Sequence, residues 1–204
     1  MFHENAFEVM INLLHDNPNI DLVYSDFNVV DLEGNFIMHQ VKEEPDTLRF
    51  HNSVGACFLY KKSLADRIGS YDPQLFLAED YEFWIRAYLY GNLYHISETL
   101  YDYCWHEKSL TSTRKNEVTK ATFLAKNKHF NALLEKCNSQ EEKNTFFWEM
   151  LSSLTNKREY RHYQKIYYKL DILFSKADRK KRINDFIIKL NSIRYHCHIK
   201  HNNI

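Results

Sequence analysis

Two adjacent carboxylates, Glu79 and Asp80, stand where a turn-rich segment (Gly69, Asp72, Pro73) gives way to an apolar stretch. Phe83, Ala87 and Tyr90 recur at helical spacing, with Trp84, Tyr88 and Gly91 alongside, so the spacing predicts a helix that begins at the acidic pair. A carboxylate at a helix N-terminus is favoured by the macrodipole and caps free N–H groups. Capping alone accounts for a lone acidic pair. The chemistry open to such a pair is proton transfer, since two nearby carboxylates raise one another's pKa.

The elements that must position this pair read as follows. Residues 4–16 form an amphipathic helix with Phe7, Met10, Ile11 and Leu14 on one face, ended by Asn17-Pro18-Asn19. Residues 21–31 are an apolar, β-rich run, read as a buried strand. A turn at 32–35 leads to a return strand from Phe36, and 42–46 is a polar loop. Residues 53–60 read as a further core strand, and 61–68 as a short helix stopped by Gly69. After the helix of the acidic pair come two short strands, 93–96 and 100–104, then a polar segment, 105–111. From about residue 116 the pattern is helical, in segments 116–136, 139–154, 157–174 and 178–195. The expected organisation is an α/β part over residues 1–115 and an all-helical extension over 116–204.

Composition narrows the class. The 204 residues are 44% hydrophobic and 26% charged, ordinary for a globular protein. With only 4 Gly and 3 Pro, long regular elements are expected. No apolar run approaches the length of a membrane span, and no secretory signal is visible. Cys57, Cys104, Cys137 and Cys197 are widely spaced without a C-x-x-C pair, which reads as buried thiols in a reducing compartment and a cytoplasmic location. Residues 157–204 carry 13 Lys and Arg against 4 Asp and Glu, a net +9, and the rest of the chain carries −9.

The order of motifs resembles the second half of a family 2 glycosyltransferase with the GT-A fold. The resemblance rests on Asp21-Leu22-Val23-Tyr24-Ser25-Asp26, Asp31-x-x-Gly34 and Gly55-Ala56-Cys57-Phe58-Leu59-Tyr60. It continues through Ile68-Gly69-Ser70-Tyr71-Asp72, Glu79-Asp80-Tyr81-Glu82-Phe83-Trp84-Ile85-Arg86, and Tyr103-x-x-His106-x-x-Ser109. It covers roughly residues 1–113 and implies a partial, Rossmann-like half-domain with a mixed sheet.

Such enzymes pass a sugar from a nucleotide-sugar to an acceptor hydroxyl with inversion, and the hydroxyl needs a carboxylate to take its proton. The resemblance puts Asp80 in that catalytic position, with Glu79 holding the acceptor or tuning Asp80. It offers Trp84 as acceptor wall or as core, and Arg86 as a structural partner or a distant phosphate contact. Gly55 either lets a backbone approach a sugar or marks a strand bulge. His106 is a ligand for a divalent metal (Mn²⁺ or Mg²⁺) against the diphosphate, or one surface histidine among eleven. Cys104 stands where the family often has Arg. Turn capping and edge positions explain Asp26 and Asp31 as well as a ligand would.

The family's Asp-x-Asp does not occur in this sequence, nor does a Gly-rich phosphate loop. The expectation is therefore an acceptor half without its donor half, truncated and inactive alone, with an uncovered strand edge that favours self-association. The expected partners are a nucleotide-sugar donor and a saccharide or lipid-linked acceptor, as in cell-surface polysaccharide synthesis. The alternative function is a non-catalytic remnant that binds a glycan or a partner. The basic helix around Arg179-Lys180-Lys181-Arg182 suits peripheral contact with the inner face of a membrane, or a hairpin packed on the acidic body. No motif for nucleic acid accompanies that charge. His196, His198 and His201 read as a frayed terminus or a metal tract.

Overall fold

The computed structural model describes residues 1–152. In chain order they form α1 (Ala6–Asp16), β1 (Leu22–Val30), β2 (Phe36–Gln40), a 3-10 turn (Pro45–Arg49), β3 (Phe58–Tyr60) and α2 (Lys62–Ile68). A second 3-10 turn (Pro73–Leu75), α3 (Glu79–Tyr90) and β4 (Leu93–Cys104) follow. Then come α4 (Leu110–Thr113), α5 (Lys115–Lys128), α6 (Phe130–Glu135) and α7 (Gln140–Ser152).

The class is α/β with a mixed sheet, as the sequence predicts. β1 is the centre. On one side β3 pairs antiparallel with its first half and β2 antiparallel with its second half. On the other side β4 runs parallel along the whole of β1. A strand flanked on both edges and covered on both faces must be continuously buried, and Leu22 through Phe27 all are. Residues at the N-terminus lie on the outer edge of β4: the His3 N–H donates to Leu100 C=O at 3.0 Å and the Asp102 N–H to Met1 C=O at 2.8 Å.

α1 covers one face of the sheet. Ala6, Met10 and Leu14 are buried together with Val23, Cys57, Ile96 and Leu100. This corrects the expected face: residues four apart make the buried row, and Phe7 and Ile11, one position round, stay half exposed. Phe7 instead packs on Phe2, ring centroids 4.7 Å apart.

Three other expectations change. The strand read over 53–60 is regular only at Phe58–Tyr60, because Gly55 turns the chain at φ +74°. The two short strands 93–96 and 100–104 are one strand, β4, whose register against β1 shifts between Ser25 and Phe27. The polar Ser97-Glu98 is thus accommodated as an irregularity in a continuous strand. The helix read over 116–136 is broken at His129 into α5 and α6.

The first compact unit of the chain runs from Met1 to Met150, so α5 and α6 belong with the sheet. Among the described residues no helix is long and apolar enough to cross a membrane. The segments 157–174 and 178–195, the basic stretch and the histidines near the end lie outside the described residues.

Candidate functional site

α3 begins at the acidic pair. The chain reaches it through the turn Pro73–Leu75, capped by Asp72, whose Oδ1 accepts the Gln74 N–H at 2.9 Å. Leu77 then adopts φ +77°, the one non-glycine residue in the left-handed region among those described. For an L residue that conformation is strained. It turns the backbone so that Glu79 and Asp80 open α3.

Asp80 is solvent-exposed, and its two carboxylate oxygens have different partners. Oδ1 accepts the Tyr81 N–H at 2.6 Å, so capping is realised in part. Oδ2 accepts from Asn52 Nδ2 at 3.3 Å. Loss of water around the carboxyl raises its pKa and neighbouring Glu79 raises it further, while the Tyr81 N–H and Asn52 pull the other way. Glu79 differs: its Oε2 is shielded from solvent and finds no hydrogen-bond partner among the described residues. Of the pair, Asp80 is the carboxylate open to an incoming hydroxyl.

Asn52 comes from the segment between the first 3-10 turn and β3, which sequence reasoning passed over. Aromatic and basic side chains tie that segment and the turn before it to α3 and α5. Tyr81 Oη donates to Leu48 C=O at 2.7 Å and Tyr88 Oη to Asp46 Oδ1 at 3.0 Å. Buried Arg49 donates to Tyr88 Oη at 3.2 Å, and Lys126 Nζ donates to Phe50 C=O at 3.0 Å. Asn52 Oδ1 in turn accepts the Gly55 N–H at 3.3 Å. A Cβ on Gly55 would lie 2.9 Å from Phe27 Cε1, so the close approach that Gly55 permits is to Phe27 and Lys42 of its own chain. Gly55 and Asp80 are thus brought together, through Asn52. Lys42 Nζ reaches the Asn52 C=O at 3.5 Å and stands over the Phe27 ring.

The remaining predicted residues lie apart from this centre. Trp84 is fully buried and T-packed on Phe58 and Phe83, so it is core and not a surface wall. The aromatic next to the carboxylates is Tyr71, partly exposed, whose hydroxyl pKa is raised by burial and by Tyr60, Asp80 and Glu79. Arg86 is engaged in structure. Its guanidinium pairs with Glu82 at 2.8 Å and donates to the carbonyls of Ile68, the last residue of α2, and of Gly69 and Ser70 just after it. A cation there complements the C-terminal end of a helix.

His106 sits half-buried in the loop after β4. Among the described residues no three His, Cys, Asp or Glu side chains gather to hold a metal ion. His106 thus has no such partners among the described residues. Asp31 caps the β1–β2 turn through the N–H groups of Glu33 and Asn35. Asp26 is buried, with Oδ1 accepting the Lys42 N–H at 2.7 Å and lying 2.7 Å from His95 Nε2. Both are structural where they stand.

No protein-family model matches the chain. Over 152 residues it is 25% identical to an uncharacterized glycosyltransferase of Rickettsia typhi, covering 69% of this chain and 46% of that protein. Over 129 residues it is 26% identical to an uncharacterized glycosyltransferase of Rickettsia prowazekii, covering 58% of this chain and 41% of that protein. The chain spans less than half the length of these curated relatives. Both of these partial, distant relatives are named glycosyltransferases.

Proposed function

We propose that the chain supplies the acceptor side of an inverting glycosyltransferase of the GT-A, family 2 type, with Asp80 as general base. In that reaction the acceptor hydroxyl oxygen forms a bond to the anomeric carbon of a nucleotide-sugar. The bond from that carbon to phosphate breaks, its electron pair leaves with the nucleoside diphosphate, and the hydroxyl proton passes to Asp80. The acceptor is a saccharide or lipid-linked saccharide, as in cell-surface polysaccharide synthesis.

The observation that supports this reading best is the pair of environments at the start of α3. An exposed carboxylate with a raised pKa stands next to a second carboxylate whose oxygen is turned inward. A base whose pKa is drawn toward neutrality holds a transferred proton better than an ordinary aspartate. The test has two arms. Saccharides are titrated into the isotope-labelled chain, and resonances of 52–55 and 78–81 are followed. A panel in which none of them moves would count against an acceptor site here. Nucleotide-sugar binding and nucleoside diphosphate release are then measured, with and without Mn²⁺, for the chain and for longer polypeptides that contain it. Asp80→Asn should spare binding and lower any transfer by about 100-fold or more; equal transfer by the variant overturns the assignment.

A second reading, a module that binds a partner, is favoured by one observation. The edge strand β2 exposes Phe36, Ile37 and Met38, flanked by exposed Leu32 and Val41. The saccharide titration separates the two, because a partner-binding remnant has no reason to respond at 78–81.

A further inference from the structure

We infer that Asn52 is a positioning residue for Asp80: it fixes the rotation of the carboxylate, and so makes Oδ2 the oxygen that receives the acceptor's proton. The inference rests on the assignment of Asp80 as base.

The argument starts from the lone pairs. A carboxylate offers about four acceptor sites on two oxygens. Asp80 Oδ1 is committed to the N–H of the next residue at 2.6 Å, a contact inside the first turn of α3. Among the described residues Oδ2 has a single hydrogen-bond partner, Asn52 Nδ2, at 3.3 Å. One oxygen is tied to its own helix and the other to a side chain 28 positions earlier, so the carboxylate plane is held at both oxygens. One site on Oδ2 is filled by Asn52, which leaves the other for a hydroxyl.

Asn52 is itself fixed at both ends of its amide. Its Oδ1 accepts the Gly55 N–H at 3.3 Å, which orients the amide so that Nδ2 faces Asp80. Reversing it would set a carbonyl oxygen against the carboxylate and an NH₂ against an N–H. The backbone carbonyl of Asn52 takes the Lys42 ammonium, and the preceding stretch is anchored to α3 through Leu48 and Arg49. Asp80 thus takes its Oδ2 contact from a segment remote from α3 in sequence. The ionisable groups around it are Glu79 on its own helix, Tyr71 ahead of the helix, and Lys42 and the His51–Glu43 pair near Asn52.

The experiment is a carboxyl-carbon NMR titration of the chain labelled in aspartate, with the Asp80 signal identified by its loss in Asp80→Asn. In Asn52→Ala the hydrogen bond that favours the ionised form is gone. The Asp80 midpoint should move up by half a pH unit or more. In Asn52→Asp the new carboxylate still accepts the Gly55 N–H but no longer donates, so the midpoint should rise at least as far. Because an aspartate at 52 also repels the Asp80 charge, the neutral Asn52→Ala decides: a wild-type midpoint there overturns the inference. Should Asn52→Ala fail to fold, Asn52→Leu, of similar volume and without a donor, is read in its place. Continued sugar transfer by Asp80→Asn would strike the base assignment instead, and would leave the coupling between Asn52 and Asp80 intact.

Discussion

Lys128 Nζ lies 2.8 Å from Glu82 Oε1 and 2.9 Å from Asp72 Oδ2, so one ammonium on α5 ties α3 to the turn before it. Glu82 is fully buried and also receives Arg86 at 2.8 Å and His129 at 2.7 Å. Burial pushes its carboxyl up, but His129, Arg86 and Lys128 together outweigh that and hold it far below the usual carboxylate range.

Glu82→Gln leaves these cations without their charge partner. Breaking a buried, paired charge costs about 3–5 kcal/mol, and chemical denaturation at neutral pH should show a loss of that order. The sign with pH follows from the depressed pKa. Glu82 stabilises the fold above its unfolded value near 4.5, and the contribution is lost as pH falls below that toward the folded value. Wild type should therefore lose stability between neutrality and pH about 3 more steeply than Glu82→Gln. Parallel curves would show that folding does not lower the Glu82 pKa.

Gly55→Ala tests the turn that carries Asn52. Its φ of +74° disfavours any Cβ, and that Cβ would meet Phe27 Cε1 at 2.9 Å. The expected cost is about 1–3 kcal/mol, read by denaturant unfolding, and the Asp80 environment should change with it. A Gly55→Ala chain as stable as wild type would mean that Phe27 and the turn yield freely, and then Asn52 is not firmly held.

What could be read from the sequence was what repeats locally. β1 and α3 were legible because their apolar spacing is strong and their ends are marked by Asp, Asn and Gly. The single β4 was not, because Ser97-Glu98 looks like a loop until the parallel partner β1 absorbs it as a register shift. The break at His129 has no Gly or Pro to announce it; it coincides with the reach of Lys128 and His129 to Glu82. Trp84 and Arg86 carry the right residue types for a sugar site, yet one is packed into the core and the other spends its donors on Glu82 and on carbonyls beyond α2. Asn52 could be found only in three dimensions, since its partner Asp80 lies 28 positions away.

Leu77 offers a test of stored strain. A left-handed L residue costs about 1–2 kcal/mol, which glycine avoids, although glycine adds about 0.5–1 kcal/mol of unfolded-state entropy. Leu77→Gly should therefore keep more stability than Leu77→Val, whose branched Cβ is least tolerated at φ +77°. Thermal melts of the two variants give the order. If valine is the better tolerated, the entry into α3 is not strained in the way described.

The edge of the sheet carries the last prediction. Among the described strands β2 pairs with β1 alone, and Phe36–Gln40 contains no Lys, Pro or acidic residue of the kind that usually blunts an edge. Phe36 and Met38 point to one side of such a strand and Ile37 to the other, and all three are exposed. A second copy can add its own β2 antiparallel to this one, which satisfies the free backbone groups of both edges and is self-complementary about a two-fold axis. Sedimentation equilibrium of the wild-type chain should then show a mass that rises with concentration. Ile37→Lys places a charge on the exposed edge without touching the α1 core, and should lower that mass to one chain with unchanged far-ultraviolet circular dichroism. A wild-type chain that stays monomeric at micromolar concentrations rejects pairing through β2, and an Ile37→Lys variant that still associates places the contact elsewhere.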